Sequence, residues 1–337
     1  MLESARVEAR QTYNGAPPMS ELVAESGVTW LEYRKTLTPD YARAWREVAV
    51  CYSMLFGGYA LNIVVAVVWG TVAGLAVAPL AALWIGFWLH GLNQFAHEGA
   101  HGNLARDRKK NDLLADWLIW PLFAQTVRMY RKSHMQHHVH LGDHLDTEIN
   151  YYECMDPWFL IKGVTGVQMV LMVVRYVLKP KAPPAGQSAP AAQRDALMAL
   201  ARTGLIHGSL IAVPAVFHLF GPAAAWLLGL AAVYPCFGTT RQILEHRDLP
   251  APCSKDFTKI EHGPINRLFG DDLFSRYFGA AGLNRHLLHH WDPGISYTRL
   301  PEMEAFILRT PYAAEIRDSR STYFRVASAM LQTALQK

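Results

Sequence analysis

Two long stretches of the chain contain no charged side chain. Residues 48–96 and residues 203–240 have no Lys, Arg, Asp or Glu. A bilayer core of about 30 Å is crossed by about 20 helical residues, so each stretch has room for two spans. Turn-forming residues lie near the middle of each stretch, namely Gly70, Gly74 and the pair Gly221-Pro222. The pattern therefore predicts an all-α integral membrane protein with four transmembrane helices in two hairpins. Buried helices of a large soluble protein are the alternative, but charge-free runs of this length are rare there.

The three remaining segments carry all 32 Lys and Arg residues. Because loops rich in Lys and Arg stay on the cytoplasmic side, we expect these segments to form a cytoplasmic helical cap and the hairpin turns to face outward. We expect a multi-pass protein of a bacterial inner membrane, organised as one functional domain. Its consecutive parts are an N-terminal cytoplasmic segment, a hairpin, a central cytoplasmic segment, a second hairpin and a C-terminal cytoplasmic segment: residues 1–47, 48–96, 97–202, 203–240 and 241–337.

The central segment contains a third apolar stretch that is interrupted by charge. Residues 158–178 include Lys162 and Arg175, which favours a helix lying along the membrane interface over a fifth span. Residues 179–194 contain four prolines and many alanines, a composition typical of a flexible linker. The charged N-terminal residues lack the short apolar core of a signal peptide.

Composition adds little to this picture. The chain is 51% hydrophobic and 18% charged, and its net charge of +4 suits contact with anionic lipid headgroups. No nucleic-acid-binding motif is present, so we expect no nucleic-acid partner. The cysteines form no CxxC pair, which indicates neither a disulfide framework nor a cysteine metal site; they are Cys51, Cys154, Cys236 and Cys253.

Histidines are concentrated in three short groups outside the predicted spans. The groups are HEGAH after the second span, HMQHH in the central segment and HLLHH in the C-terminal segment. One further histidine follows the fourth span. The nine side chains are His97, His101, His134, His137, His138, His246, His286, His289 and His290.

The spacing and placement of these groups favour a metal site. On a helix, positions i, i+3 and i+4 share one face, so each group would direct its imidazoles to one point. A hairpin returns the chain to the side that it left, so all groups can meet on one membrane face. Imidazole ligands suit zinc, iron and copper, whereas calcium and magnesium require oxygen ligands. Nine imidazoles exceed the needs of one ion, which predicts two.

The roles of the other histidines and of several carboxylates are less clearly indicated by the sequence. His90, His207 and His218 are expected within spans, as structural or tunnel-lining groups. Three further histidines have a lower chance of being ligands: His140, His144 and His262. Four carboxylates are candidates for acceptors that orient imidazoles, although each is equally well explained as a solvated loop charge; they are Asp146, Glu148, Glu245 and Asp292.

The three histidine groups, in this order around two hairpins, resemble the membrane fatty acid desaturase superfamily. The resemblance covers about residues 48–301 and includes LGDHLDTEI after the second group and HHWDPGISYTRLPEM at the third. It implies that the nine histidines bind two iron ions. It also implies that Gln242 holds a metal-bound water, because some relatives have an Asn there. The first group has three intervening residues rather than the four of acyl-CoA desaturases, which leaves other branches of the superfamily open.

The resemblance implies an O₂-dependent di-iron oxidase that acts on a fatty acyl or other lipid-like chain. Oxidising an unactivated C–H bond requires a redox cofactor, because no side chain can do so. Desaturation is the first expectation; hydroxylation, ketolation or alkene-forming decarboxylation of a fatty acid or isoprenoid is the alternative. The sequence contains no electron-carrier motif of its own, so a ferredoxin, a rubredoxin or a similar carrier with its reductase is expected. The cations Arg106, Arg108, Lys109 and Lys110 are candidates for docking it; contact with lipid headgroups or a topology signal is the alternative.

Two rival functions use other features of the same sequence. His97-Glu98-Gly99-Ala100-His101 matches the HExxH motif of zinc metalloproteases, in which the glutamate is the general base. That reading leaves both HxxHH groups without a purpose. A metal-binding or transport protein without catalysis would more naturally place its ligands inside the spans.

Overall fold

A computed structural model describes residues 17–178 and 188–335 of the chain. These residues form helices, short 3₁₀ turns and loops, and they contain no β-strand beyond two isolated bridges. The α-helices are α1 Trp30–Arg34, α2 Tyr41–Trp69, α3 Thr71–His101, α4 Arg108–Leu118, α5 Val127–His140, α6 Pro157–Val164, α7 Val167–Leu178, α8 Ala189–Val216, α9 Phe220–His246, α10 Leu273–Phe278, α11 His286–Trp291, α12 Leu300–Ile307, α13 Ala313–Asp318 and α14 Tyr323–Leu335.

The chain divides into two compact units. The span unit comprises residues 44–132 and 160–238, and the histidine unit comprises the described parts of residues 1–43, 133–159 and 239–337. Four helices are long and apolar enough to cross a membrane, namely α2, α3, α8 and α9. The prediction of an all-α membrane protein with four spans is therefore confirmed.

The first hairpin turns at the predicted glycine. Helix α2 ends at Trp69 and α3 begins at Thr71, with Gly70 between them at φ 90°. A residue with a side chain is strained in this left-handed region, whereas glycine enters it readily. Gly102, at φ 86°, ends α3 directly after the first histidine group in the same way.

The second hairpin does not turn at Gly221-Pro222. Helix α8 ends at Val216 and α9 starts at Phe220, so the turn lies at residues 217–219 and the Gly-Pro pair is inside the first turn of α9. Proline is tolerated there because the first helical N–H groups have no partner within the helix. His218, expected inside the third span, instead lies exposed in this turn at φ 58°.

Both hairpin turns lie at the same end of the span unit. The Thr71 hydroxyl donates a hydrogen bond to the carbonyl oxygen of His218. Close by, the backbones of Gly74 and Gly221 approach so tightly that a Cβ on Gly221 would lie 2.3 Å from the carbonyl carbon of Gly74. The two hairpins therefore pack turn beside turn, with two glycines allowing the contact.

The apolar residues 158–178 form two helices rather than one interfacial helix. Helices α6 and α7 bend by 85° across Thr165 and Gly166, and Gly166 has φ 75°. The expectation of a single helix was therefore wrong, while its placement along the membrane interface stays a prediction. Of the predicted linker, residues 179–187 lie outside the described residues. The rest of the predicted linker is helical from Ala189, so the linker expectation was wrong there. The Ser188 hydroxyl caps the start of α8 by accepting from the backbone N–H of Ala191.

The histidine unit is assembled from short helices around aromatic packing. The Trp30 ring lies 5.2 Å from that of Phe306, and Tyr33 stacks on Phe306 at 4.9 Å. The indole N–H of Trp30 donates to Asp292, and Arg34 forms an ion pair with the same carboxylate at 3.0 Å. Asp292 therefore ties the N-terminal segment to the end of α11. The expectation that it accepts from an imidazole was wrong, because Oδ2 binds Trp30 and Arg34 of α1 and Oδ1 accepts from the backbone N–H of Gly294.

A disulfide joins two loops of the histidine unit, contrary to the sequence expectation. Cys154 and Cys253 are bonded, with their Cα atoms 5.3 Å apart and 99 residues between them along the chain. Spacing rules detect pairs that are close in sequence, so they gave no indication of this one.

The contact between the two hairpin turns generates the first prediction. Replacing Gly221 with Ala should destabilise the protein by about 1–3 kcal/mol, because the new methyl group overlaps backbone that has no room to move. Gly208→Ala is the matched control, since its Cβ would meet nothing within 4 Å. Thermal unfolding in detergent, followed by circular dichroism, measures both variants. Equal melting temperatures for the two would contradict the packing described.

Candidate metal centre

Seven histidines of the histidine unit converge in two adjacent clusters. Within each cluster, one ring nitrogen of every member lies within 4.8 Å of the others. The rings of His138 and His290, one from each cluster, have centroids 4.4 Å apart. Cluster A is His134, His138 and His289; cluster B is His137, His246, His286 and His290.

The ligand atoms in both clusters have the separations expected around one ion. In cluster A, the Nε2 atom of His138 lies 3.0 Å from that of His134 and 3.1 Å from that of His289. In cluster B, the Nε2 atom of His286 lies 2.9 Å from that of His246 and 3.0 Å from that of His290. Two nitrogens bound at right angles to one ion, each about 2.1 Å away, would be about 3.0 Å apart.

Local sequence produces this convergence. His134, His137 and His138 lie on the last turns of α5, and their i, i+3, i+4 spacing puts them on one helix face. The third group forms α11, with the same spacing. His246 is the last residue of α9. Helix geometry therefore sets the directions within each group, and packing of the unit brings the groups together.

Asp146 fixes the orientation of His137. The Nδ1 atom of His137 donates to Asp146 at 2.9 Å, and the carboxylate also accepts from the Tyr151 hydroxyl at 2.6 Å and from the backbone N–H of Glu148 at 2.8 Å. The Tyr151 oxygen in turn accepts from the N–H of Gly142. A carboxylate held by three donors cannot swing freely, so it holds the ring and directs Nε2 of His137 toward cluster B.

Glu148 plays the corresponding role in cluster A. One of its oxygens accepts from Nδ1 of His134 at 2.8 Å, and the other accepts from the Gln242 side-chain amide at 2.9 Å. Gln242 thus connects α9 to an imidazole of cluster A through a carboxylate. Its Oε1 atom is buried and has no hydrogen-bond partner within the described residues. The expected contact of Gln242 with a metal-bound water stays a prediction.

His246 is held by backbone. Its Nδ1 atom donates to the carbonyl oxygen of Ile265 at 2.9 Å. A carbonyl can only accept, so Nδ1 carries the proton and Nε2 of a neutral ring presents a lone pair. The guanidinium of Arg267 donates to the carbonyls of Leu244 and Arg247 at 2.7 Å each. These bonds satisfy the C-terminal end of α9 and fix the position of His246.

The electrostatics favour a cation between the rings. Burial and the neighbouring His138 and His246 hold the pKa of His290 well below 6.5, so this ring is neutral at pH 7. Burial would also lower the pKa of His137, but Glu148 and the hydrogen bond to Asp146 more than offset it and raise the pKa above 6.5. Two ring nitrogens 3 Å apart are held together either by a proton on one of them or by a positive ion between them. All-imidazole donors fit iron, zinc or copper.

The first histidine group lies in the span unit, on the last turn of α3. The rings of His97 and His101 have centroids 4.9 Å apart. Arg131 donates to the carbonyl oxygen of Ala100 at 2.6 Å and to Asp112 at 2.9 Å, and the Asn111 amide donates to the carbonyl oxygen of Gly99 at 2.9 Å. The helix end that carries these two rings is therefore fixed by side chains from α4 and α5.

The remaining histidines lie outside both clusters. His90 contacts the Gln94 amide at 3.0 Å, and His207 lies between the carbonyl oxygen of Leu122 and the indole N–H of Trp226, each at 3.0 Å. Both are buried polar groups satisfied within the span unit, as expected. The other three lie in or beside loops, where two of them face carboxylates: His140, His144 and His262.

Sequence reasoning missed three residues that position the histidines. Tyr151 holds Asp146, Arg131 holds the end of α3, and Arg267 holds the end of α9. Burial lowers the pKa of Arg267 to about 10, which still leaves it charged at neutral pH. No motif marks any of them. Arg131 and Arg267 act through contacts between residues distant in sequence, whereas the proximity of Tyr151 to Asp146 along the chain did offer a signal.

A membrane protein with four apolar helices and histidine clusters suited to transition metals belongs to a narrow class. The sequence profile of the fatty acid desaturase family matches residues 73–320, which is more than half of the chain. The chain therefore belongs to the fatty acid desaturase family.

A curated relative gives a more limited likeness. Dihydrorhizobitoxine desaturase from Bradyrhizobium elkanii is 37% identical over 105 residues. The alignment covers 29% of this chain and 28% of the relative. It agrees with the family assignment and does not extend to the whole protein.

The support for His137 generates a prediction about metal affinity. Replacing Asp146 with Ala should weaken metal binding about 10- to 100-fold, because the ring loses its orienting acceptor. Asp143→Ala is the matched control, since Asp143 lies in the same loop but holds His140, which is outside both clusters. Titration of the metal-free protein with Co²⁺, followed by visible absorption, measures both affinities. Equal weakening by the two variants would show that the loop, not the Asp146 carboxylate, matters.

Proposed function

We propose that this protein is a membrane-bound oxidase that uses two iron ions and O₂ to oxidise a fatty acyl or other lipid-like chain, most simply by desaturation. The observation that carries the proposal is the convergence of seven imidazoles in two adjacent clusters, with ligand atoms about 3 Å apart. Family membership supports it, because fatty acid desaturases act by oxidising C–H bonds.

The proposed ligand set consists of the nine predicted histidines. His137, His246, His286 and His290 would hold one ion. His134, His138 and His289 would hold the other, together with His97 and His101 from the first group. The support for adding these two is the order and spacing of the three groups in the sequence. Gln242 is proposed to contribute through a bound water.

Two irons with O₂ would supply the oxidant that a C–H bond requires. The protein's own residues do the rest. Asp146, Glu148 and the carbonyl oxygen of Ile265 orient three imidazoles from behind, which keeps the ligand atoms in place while the ions change charge. Burial of His134, His137, His246, His286 and His289, each at most 3% exposed, excludes bulk water from the ligands.

The proposal also covers the electron donor and the side of the membrane on which the histidine unit lies. We propose that the histidine unit faces the cytoplasm of a bacterium and that a ferredoxin, a rubredoxin or a similar carrier delivers electrons. The run Arg106, Arg108, Lys109 and Lys110 is exposed, and it supports docking of an acidic carrier. Contact with lipid headgroups would use the same charges.

The mass difference between substrate and product would identify the reaction. Loss of two hydrogens would identify a desaturase, gain of one oxygen a hydroxylase, gain of one oxygen with loss of two hydrogens a ketolase, and loss of carbon dioxide with two hydrogens an alkene-forming decarboxylase. The relative is named for dihydrorhizobitoxine rather than for a fatty acid. The search for product therefore includes water-soluble extracts as well as lipids.

Expression in a host lacking the protein tests this function directly. Mass spectrometry should find one of these mass changes with the wild type and none with His289→Ala, because a proposed ligand is lost. His144→Ala should behave as the wild type, since His144 is exposed and outside both clusters. Product from His289→Ala at the wild-type level would contradict the di-iron assignment.

The zinc protease alternative has its own test. Glu98 is fully buried and accepts a hydrogen bond from the Asn103 side chain at 2.9 Å, whereas a protease base must reach a zinc-bound water. Glu98→Gln should therefore retain most of the oxidation activity, because glutamine can still accept from Asn103. The measurement is product yield per chain, with bound metal as the control. Complete inactivation with metal retained would restore a direct catalytic role for Glu98.

A further inference from the structure

Glu245 is a buried carboxylate at the edge of cluster B. It is 0% exposed and lies one residue before His246 on α9. Its Oε2 atom accepts from the guanidinium of Arg241, one helical turn earlier, and lies 3.7 Å from Nε2 of His286. That nitrogen is the atom His286 directs at the other ligands of cluster B. The carboxylate therefore faces the side of the ring that would bind the ion.

The separation of 3.7 Å fits two ligands of one ion. Ligand atoms about 2.1 Å from an ion are about 3.0 Å apart at right angles, about 3.4 Å apart in a tetrahedron and about 4.2 Å apart on opposite sides. The distance between Oε2 of Glu245 and Nε2 of His286 lies within this range. Its other oxygen, Oε1, is also buried. A buried carboxylate is unfavourable unless cations or hydrogen-bond donors surround it.

We propose that Glu245 is a tenth protein ligand, which binds the ion of cluster B through a carboxylate oxygen. This rests on the proposed function, since it concerns the same metal centre. Cluster A has a carboxylate only behind an imidazole, where Glu148 holds Nδ1 of His134. The two ions would then differ: one bound by imidazoles alone, and one bound by imidazoles and a negatively charged oxygen. An anionic ligand stabilises the ferric over the ferrous state, so the two irons are not equivalent.

The competing explanation is a purely structural ion pair. Arg241 is buried and requires a counter-charge, which Glu245 provides. The Tyr323 hydroxyl of α14 also interacts with the Glu245 carboxylate, and burial together with this negative charge raises the pKa of Tyr323 well above 10. A structural role predicts that stability depends on Glu245 while the number and spectra of bound irons do not.

Iron reconstitution separates these explanations. The purified full-length protein is stripped of metal and reloaded anaerobically with ⁵⁷Fe²⁺, and iron per chain and the Mössbauer doublets are measured. The wild type should bind two irons with two distinct doublets. Glu245→Gln keeps the side-chain volume and can still accept from Arg241, yet it should lose the cluster B iron and retain one doublet. Tyr323→Phe is the matched control and should keep both.

Glu245→Asp keeps the charge and covers the case in which the glutamine variant fails to fold. Because the aspartate side chain is shorter, the affinity for the cluster B iron should fall by at least about tenfold. Two irons with wild-type affinity and unchanged doublets in Glu245→Gln or Glu245→Asp would overturn the carboxylate ligand and leave the proposed function intact. A wild type that binds no iron would overturn the proposed function itself.

Discussion

The structure depends on holding imidazole nitrogens about 3 Å apart inside a buried site. His134 and His138 in one cluster, and His246 and His286 in the other, present Nε2 atoms at this separation. Asp146, Glu148 and the carbonyl oxygen of Ile265 hold three of the rings from behind by binding their opposite nitrogens. Because these contacts fix the ring orientations, the Nε2 atoms are already placed at separations that suit one ion in each cluster.

The fold supplies rigid ends for the helices that carry the histidines. Gly102 ends α3 at His101, Arg267 satisfies the last carbonyls of α9, and the Asp146 loop lies directly after α5. The ends of α3 and α9 that carry His101 and His246 therefore have turn or side-chain partners for their backbone groups. The disulfide between Cys154 and Cys253 joins the loops that follow α5 and α9. The positions of the ligand atoms in such a site depend on the residues that hold the histidines as much as on the histidines themselves.

Sequence patterns predicted the features that depend on residues close together in the chain. The spans, the turn at Gly70 and the shared helix face of His134, His137 and His138 follow from charge-free runs, glycine and helical spacing. The turn at residues 217–219 was missed because Gly221-Pro222 fits equally well in the first turn of a helix. Contacts between residues distant in sequence could not be predicted. Trp30 and Asp292, which are hydrogen-bonded, lie 262 positions apart, and the disulfide partners Cys154 and Cys253 lie 99 positions apart. Asp146 and Glu148 were named as candidates, but only the structure distinguishes them from loop charges.

The most direct test of the two-metal centre is X-ray diffraction from crystals of the iron-loaded protein at wavelengths on both sides of the iron absorption edge. A di-iron centre predicts two anomalous peaks. One lies within about 2.1 Å of the Nε2 atoms of His134, His138 and His289, and the other lies within the same distance of those of His137, His246, His286 and His290. A single peak, no iron peak, or iron bound away from these nitrogens would contradict the account.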